Sequence, residues 1–162
     1  TFQTGWQRAL ARKLGLASLD QPGDDELVGE LFLALAERET DFTIFFRNLA
    51  TPTVDSLRPA FYLDDQQHDR LEAWLGKYAA RAVSEPGRVE RMNAANPKYV
   101  FRNYLAQQAI DALEGGDASV MERLMKVLER PYDEQPEHDD LSARRPEWAR
   151  HKAGCSALSC SS

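Results

Sequence analysis

The sequence predicts an all-α protein: an irregular helical bundle of about six to eight helices followed by an extended C-terminal tail. Three observations carry that reading. Apolar residues recur at helical spacing over nearly all of residues 1–130. No stretch alternates apolar and polar residues over a strand's length with turn signals at both ends. Helix-breaking residues (Pro52, Pro97, the pair Gly115-Gly116, and Pro131) stand where apolar stripes end. No internal repeat of fixed period is present.

The elements follow in order. A first helix is expected around Trp6, Leu10 and Leu14. From Asp24 to Arg38, Leu27, Val28, Leu31, Phe32 and Leu35 form the stripe of a helix with one buried face. Asp24 suits its N-cap, because a carboxylate there accepts orphan amide hydrogens of the first turn. Phe42, Phe45, Phe46 and Leu49 make a third helix, with Thr40 or Asp41 as cap and Pro52 as stop. Asp64 opens a longer segment, with Gln67 in a box-like arrangement and Leu71, Trp74, Leu75 and Tyr78 on one face. Ser84 and Pro86 read as the start of a short helix carrying Val89 and Met92. It must end before Asn96-Pro97, since proline disfavours a helical residue ahead of it. Tyr99 to Leu113 carries Val100, Phe101, Tyr104, Leu105, Gln108 and Ile110, and Gly115-Gly116 terminates it. Asp117 then caps a helix with Val120, Met121, Leu124, Val127 and Leu128, closed by Pro131.

The character changes after residue 130, so the expected organisation is a helical domain over 1–130 and a proline-containing tail over 131–162. Asp133, Glu134, Glu137, Asp139 and Asp140 form an acidic block; Arg144, Arg145, Arg150 and Lys152 form a basic one. The segment reads either as a disordered terminus or as an extended arm anchored by Tyr132, Leu141, Trp148 and Leu158. A tryptophan in a purely solvating tail is unusual, which favours the arm.

Composition narrows the function classes. The chain has 162 residues, 43% hydrophobic and 28% charged, which is the range of a soluble globular domain. The net charge of −6, with no basic stripe, argues against a general nucleic-acid binder. No run approaches the length of a membrane span, and no signal-peptide pattern occurs. Cys155 and Cys160, both near the C-terminus, cannot staple the core, which fits a reducing compartment. The first residue is Thr1, so the chain is expected to be processed or cut from something longer.

Catalytic signatures are sparse. His68 is expected on a helix, on the face away from Leu71 and Trp74; His151 is expected to be exposed. His138 beside Asp139 and Asp140 invites a metal reading, but one imidazole and two adjacent acids fall short of the three or four spaced ligands a site needs; a solvated acidic stretch is the simpler account. No phosphate-binding loop, no dinucleotide fingerprint and no protein-kinase motif set appears. The residues therefore offer no catalytic, cofactor-binding or metal-ligating candidate. One segment, 91–108, is denser in amides, arginine and aromatics than a packing helix requires. Asn93, Asn96, Arg102, Asn103 and Gln107 either form a buried hydrogen-bond network that locks helices together or face a ligand; pinning a turn and satisfying helix ends is the better reading.

That segment also carries a resemblance. The run Met92-Asn93-x-x-Asn96-Pro97-Lys98-Tyr99-Val100-x-Arg102-Asn103-Tyr104-Leu105-Ala106-Gln107-Gln108-Ala109 resembles the C-terminal signature of the selenoprotein O family, called YdiU in bacteria. Asp41-Phe42-Thr43 with Phe46-Arg47 resembles the family's Asp-Tyr-Thr…Phe-Arg element. The stretch from Arg130 through Pro131, Tyr132 and Gln135 to Pro136 resembles its Pro-Tyr-Asp-Glu-Gln-Pro turn. Trp148-Ala149 and Ser159-Cys160-Ser161-Ser162 resemble its end. The match is collinear from about Trp6 to Ser162.

The resemblance implies a parent with a protein-kinase-like fold that transfers AMP from ATP to Ser, Thr or Tyr hydroxyls of other proteins, using a divalent metal such as Mg. The nucleotide- and metal-binding residues of the family lie upstream, so ATP and Mg would bind outside these 162 residues. The chain would be the non-catalytic helical C-terminal portion of a cytoplasmic bacterial enzyme. Its partners would be the upstream kinase-like lobes and the protein substrates, with neither nucleic acid nor membrane. Animal members place selenocysteine third from the end, where Cys160 stands; bacterial members are thought to pair a terminal cysteine with one in the activation-loop region. Cys160 is thereby expected to be a redox-regulatory thiol, and Cys155 has no assigned counterpart. Two other classes stay open on the residues alone: a self-standing helical interaction module with no enzymatic activity, and a thiol redox protein using Cys155 and Cys160. The latter is weak, because only Arg150 and Lys152 lie near in sequence to lower a thiol pKa.

Overall fold

All regular structure is helical in the computed structural model, which describes residues 2–62 and 68–152, with side chains from residue 5 onward. Eight α-helices and three short 3₁₀ turns occur among the described residues. Extended pairing there is limited to one isolated bridge, Thr40 with Phe61. The chain divides into two compact units, Thr1–Asn96 and Pro97–Ser162. The sequence places a boundary at 130/131, whereas the second unit groups residues 131–152 with the two helices that precede them.

In the first unit, α1 (Phe2–Lys13) ends at Gly15. That residue has φ +70°, and a Cβ there would lie 2.6 Å from Arg88 Cγ and 2.9 Å from the Arg88 carbonyl oxygen. Both the left-handed backbone and the close approach require glycine. Helix α2 (Asp24–Ala36) starts from Gly23, itself left-handed at φ 93°. Asp24 is therefore the first helical residue and not the cap. Its buried carboxylate accepts from the Gln21 amide at 3.0 Å and from Arg81 Nε at 2.8 Å. Helix α3 (Phe42–Asn48) is capped by Asp41, which accepts from the Ile44 amide at 3.0 Å.

After Pro52 comes α4 (Val54–Leu57), a single turn that helical periodicity is too short to reveal. Its signal is the reciprocal capping box of Thr53 and Ser56. It runs into a 3₁₀ turn over Arg58–Ala60. The expected opening at Asp64 and Gln67 lies outside the described residues; α5 is described over Asp69–Ala82. Helix α6 (Arg88–Ala95) starts from the left-handed Gly87 instead of Ser84-Pro86, and stops at Asn96 ahead of Pro97, as proline demands.

Helix α2 packs along α5, and α1 against α6. Leu14, Leu31, Phe45, Leu49, Leu57, Phe61, Trp74, Tyr78 and Met92 are buried to 1% exposure or less. Each such side chain removed from water contributes about 1.5–3 kcal/mol. Trp74 stacks on Tyr78, one turn along α5, with centroids 5.0 Å apart and planes 9° from parallel. Both polar tips are satisfied in the interior: Trp74 Nε1 donates to the Leu27 carbonyl at 2.8 Å, and Tyr78 Oη to the Leu14 carbonyl at 2.6 Å.

In the second unit, the Lys98 and Tyr99 amides both donate to the Pro131 carbonyl, at 2.8 and 3.1 Å. These bonds keep the chain after Pro97 from coiling, so α7 spans Asn103–Glu114 and starts four residues later than expected. Gly116, at φ 88°, makes the turn into α8 (Ser119–Leu128). Asp117 accepts from the Ser119 amide at 2.9 Å, but Ala118 holds the cap position. Tyr104, Leu105, Ala109 and Leu124 form the core of this unit with Ala149.

Residues 131–152 thus fold with α7 and α8, through 3₁₀ turns at Pro136–Ser142 and Glu147–Arg150. The expected anchors fare unequally. Leu141 packs on the core. Trp148 is 45% exposed and meets Tyr104 edge-on at 6.3 Å. Tyr132 is 46% exposed, whereas Gln135, three residues on, is buried. Leu158 lies outside the described residues. The small Ala149, fully buried, is the anchor that reading for large apolar residues misses.

Candidate functional site

The segment singled out in the sequence resolves into a set of helix closures. A helix leaves its last carbonyls without partners, and a buried end must have them supplied. Arg47 Nη1 donates to the Asn93 and Asn96 carbonyls at the end of α6, both at 3.0 Å. Asn96 Nδ2 donates to the Lys13 carbonyl at the end of α1, at 2.8 Å. Arg88 closes α3: Nη2 reaches the Ala50 carbonyl at 2.7 Å and Nη1 the Leu49 carbonyl at 3.4 Å. The Arg88 guanidinium also lies 3.1 Å from Tyr78 Oη and 3.0 Å from Met92 Sδ. Arg91 Nη2 donates to the Gly15 carbonyl at 2.8 Å. In the second unit the buried Gln135 does the same for α8, donating to Val127 and Arg130 carbonyls at 3.1 and 3.0 Å. Its own carbonyl accepts from Tyr99 Oη at 2.9 Å.

The signature residues divide accordingly. Asn96 and Tyr99 are tied into these closures, and Arg102 is 1% exposed. Asn93 contributes its backbone carbonyl, while Gln107 sits at the surface and donates to Asp111 at 2.7 Å. Helix-locking is therefore the part that Arg47 and Asn96 play.

The acidic block of 133–140 is solvated, each carboxylate being more than half exposed, and Glu134, Asp139 and Asp140 also hold basic partners within the second unit. Lys98 Nζ donates to Glu134 at 2.6 Å and Asp139 at 2.7 Å. Burial pulls the Lys98 pKa down, but those two carboxylates outweigh it and the net shift is upward. Arg123 holds Asp140 through both terminal nitrogens, at 2.9 and 2.5 Å, and its Nε donates to His138 Nδ1 at 3.1 Å. The hydrogen bond from Arg123 depresses the Asp140 carboxyl, over an opposing desolvation effect. With Nδ1 accepting, His138 presents no imidazole pair to a cation, and no three His, Cys, Asp or Glu side chains converge on a metal position among the described residues.

His68 departs from expectation. It precedes α5 instead of lying within it, is 7% exposed, and packs against Phe61 at 5.5 Å. Its Nδ1 accepts from Arg38, whose guanidinium also lies 5.1 Å over the Phe61 ring. Sequence reading missed this arrangement because Arg38 and His68 are thirty residues apart and neither lies on an apolar stripe. Cys155 and Cys160 lie outside the described residues, and so does any geometry for a redox centre. No helix among the described residues is long and apolar enough to cross a membrane.

What the fold and its polar groups define is a helical packing region, built to hold helix ends together. A family model described as protein adenylyltransferase SelO matches residues 1–129. A protein nucleotidyltransferase YdiU of Nitrosospira multiformis is 50% identical over an alignment that covers all of this chain and 35% of that protein. The namesake from Rhodopirellula baltica is 42% identical, covering 99% of this chain and 35% of its own length. One from Xanthomonas campestris is 48% identical, with 96% and 32% covered. The chain belongs to the SelO family, and it spans about a third of the length of the curated relatives it matches.

Proposed function

We propose that the chain is the non-catalytic C-terminal helical region of a protein adenylyltransferase, a pseudokinase-like enzyme that transfers AMP from ATP to Ser, Thr or Tyr hydroxyls of other proteins. ATP and Mg bind upstream, in kinase-like lobes of the same polypeptide, and the enzyme works in the bacterial cytoplasm on protein substrates. The observation that carries the reading is the use of Arg47 and Asn96, both in stretches that resemble family motifs, to close the ends of α6 and α1. Groups spent on buried carbonyls are not available to a nucleotide. Family membership supports the activity of the parent.

Two measurements test the assignment. Calorimetric titration of the chain with Mg-ATP should show no micromolar binding, whereas the full-length parent should bind ATP and label protein hydroxyls with AMP. Micromolar binding to the chain alone, or a parent that transfers no AMP, overturns the proposal. Cys160 is the proposed regulatory thiol. In the oxidised parent, peptide mass spectrometry should find it joined to a cysteine upstream of this chain, with AMP transfer changing on reduction. A free Cys160, or one joined only to Cys155, with activity indifferent to reductant, removes that role.

A further inference from the structure

Helix α2 has two apolar faces. One, formed by Leu27, Leu31, Ala34 and Leu35, is buried in the core of the first unit. The other consists of Gly29, Phe32, Leu33 and Ala36, at i, i+3, i+4 and i+7, and all four are exposed. Phe32 is 39% and Leu33 58% exposed, and a Cβ at Gly29 would meet nothing within 4 Å. Beside Phe32, from α1, the 45%-exposed Trp6 stacks at 6.4 Å between centroids. The four stripe residues carry no charge, and the acids that bound the stripe stand at its ends: Asp25 before Gly29, and Glu37, which pairs with Arg70 and Arg38, after Ala36. A surface helix has one apolar stripe and a polar back; a helix apolar on both sides belongs inside a larger body. Large exposed aromatic and aliphatic groups gathered in one patch mark a contact surface.

We infer that the Trp6–Phe32–Leu33 face of α1 and α2 is the seat of the part of the parent polypeptide that lies outside this chain, which packs a charge-poor helix against it. The inference rests on the proposed reading of the chain as a region of a longer enzyme. The occupant follows from length: the relatives are about three times as long as this chain, so roughly twice its mass remains to be accommodated. Gly29 and Ala36, one on each side of the large pair, leave room for a close helix–helix approach, with Phe32 and Leu33 projecting between neighbouring side chains of the partner.

The test is the reactivity of a thiol placed on the stripe. Leu33→Cys is introduced into the chain and into the full-length parent, and alkylation of that position is followed by peptide mass spectrometry. Leu33 is exposed, so the variant should melt like the wild type. The thiol should react at least ~10-fold more slowly in the parent than in the chain, and equally in both once urea unfolds them. Equal rates in the folded proteins overturn the inference. So does protection in the chain alone that grows with concentration alongside a dimer in sedimentation, which would assign the face to a second copy. As a second reading, Leu33→Asp should lower the melting temperature of the parent and leave that of the chain unchanged; an unchanged parent counts against the inference. AMP transfer by the parent separates the two claims, since an active parent with an unprotected Leu33→Cys thiol refutes this surface while leaving the enzymatic reading intact.

Discussion

Replacing Trp74 tests the core of the first unit at its largest fully buried side chain. The indole is 1% exposed, stacks on Tyr78, and donates to the Leu27 carbonyl of α2 at 2.8 Å. Trp74→Ala removes the burial and leaves a cavity between α5 and α2, at a cost of about 3–5 kcal/mol. Trp74→Phe keeps most of the volume and the stack and removes a second donor from the Leu27 carbonyl, which keeps its place in the α2 ladder, at a cost of about 0.5–1.5 kcal/mol. For a chain of this size each kcal/mol moves the melting temperature by about 2–4 °C. The alanine variant should therefore melt roughly 6–20 °C below wild type, with phenylalanine between them. Circular dichroism at 222 nm through a thermal ramp measures this, and urea titration checks that the denaturant slope is unchanged. An alanine variant within about 1 kcal/mol of wild type at the same slope would show that the α2–α5 seam does not carry the stability assigned to it.

Three further outcomes are expected. Gly15→Ala should destabilise by more than about 1 kcal/mol, because φ is +70° and the new Cβ would collide with Arg88; a neutral effect in urea titration contradicts the close approach. Trp148→Ala should cost only about 1 kcal/mol, in keeping with a half-exposed edge contact, and should mainly speed proteolysis within 131–152; unchanged protease resistance removes its anchoring part. The carboxyls of Asp140 and Asp111 are lowered by hydrogen bonds from Arg123 and from Lys152, respectively. A lowered native pKa gives stability that is present above the ordinary value near ~4 and is lost as pH falls through that value toward the native one. Amide protection factors in 131–152, with exchange normalised to the intrinsic rate at each pH, should fall selectively below pH ~4, less so when the wild type is compared at high salt; protection that is flat across this range refutes the pairing.

The helices were legible because their cause is local. The stripe of α5, Leu71, Trp74, Leu75 and Tyr78, is buried as its spacing demands, and Asp41 caps α3 as its side chain allows. Starts were harder where the backbone takes a left-handed step. Gly23 and Gly87 set the entry to α2 and α6, although Asp24 and Ser84 nearby have the better capping chemistry. The delayed start of α7 depends on a carbonyl at Pro131, more than thirty residues on, which no window of sequence contains. The signature segment was recognisable as polar and dense, and pinning helix ends was its expected use. Which end each group closes was not readable, because Arg47 meets α6 across 46 and 49 residues and Asn96 meets α1 across 83. His68 was misplaced for the same reason: its partners Arg38 and Phe61 come from other segments.

Those distant closures bear on how the first unit forms. Helical proteins fold quickly when their contacts are local, since short loops cost little entropy to close. Here local amides satisfy most of the end carbonyls, but the final donors to α1, α3 and α6 come from Asn96, Arg88 and Arg47, 38 to 83 positions away. A peptide carrying α1 through Leu16 would keep the local donors to the Leu10, Ala11 and Arg12 carbonyls but lose the Asn96 donor to the Lys13 carbonyl, and a helix this short is marginal in water on its own. These last donors arrive only when distant segments meet, so refolding should be slower than helix content alone suggests, and a nick between α3 and α6 should loosen the ends of both helices.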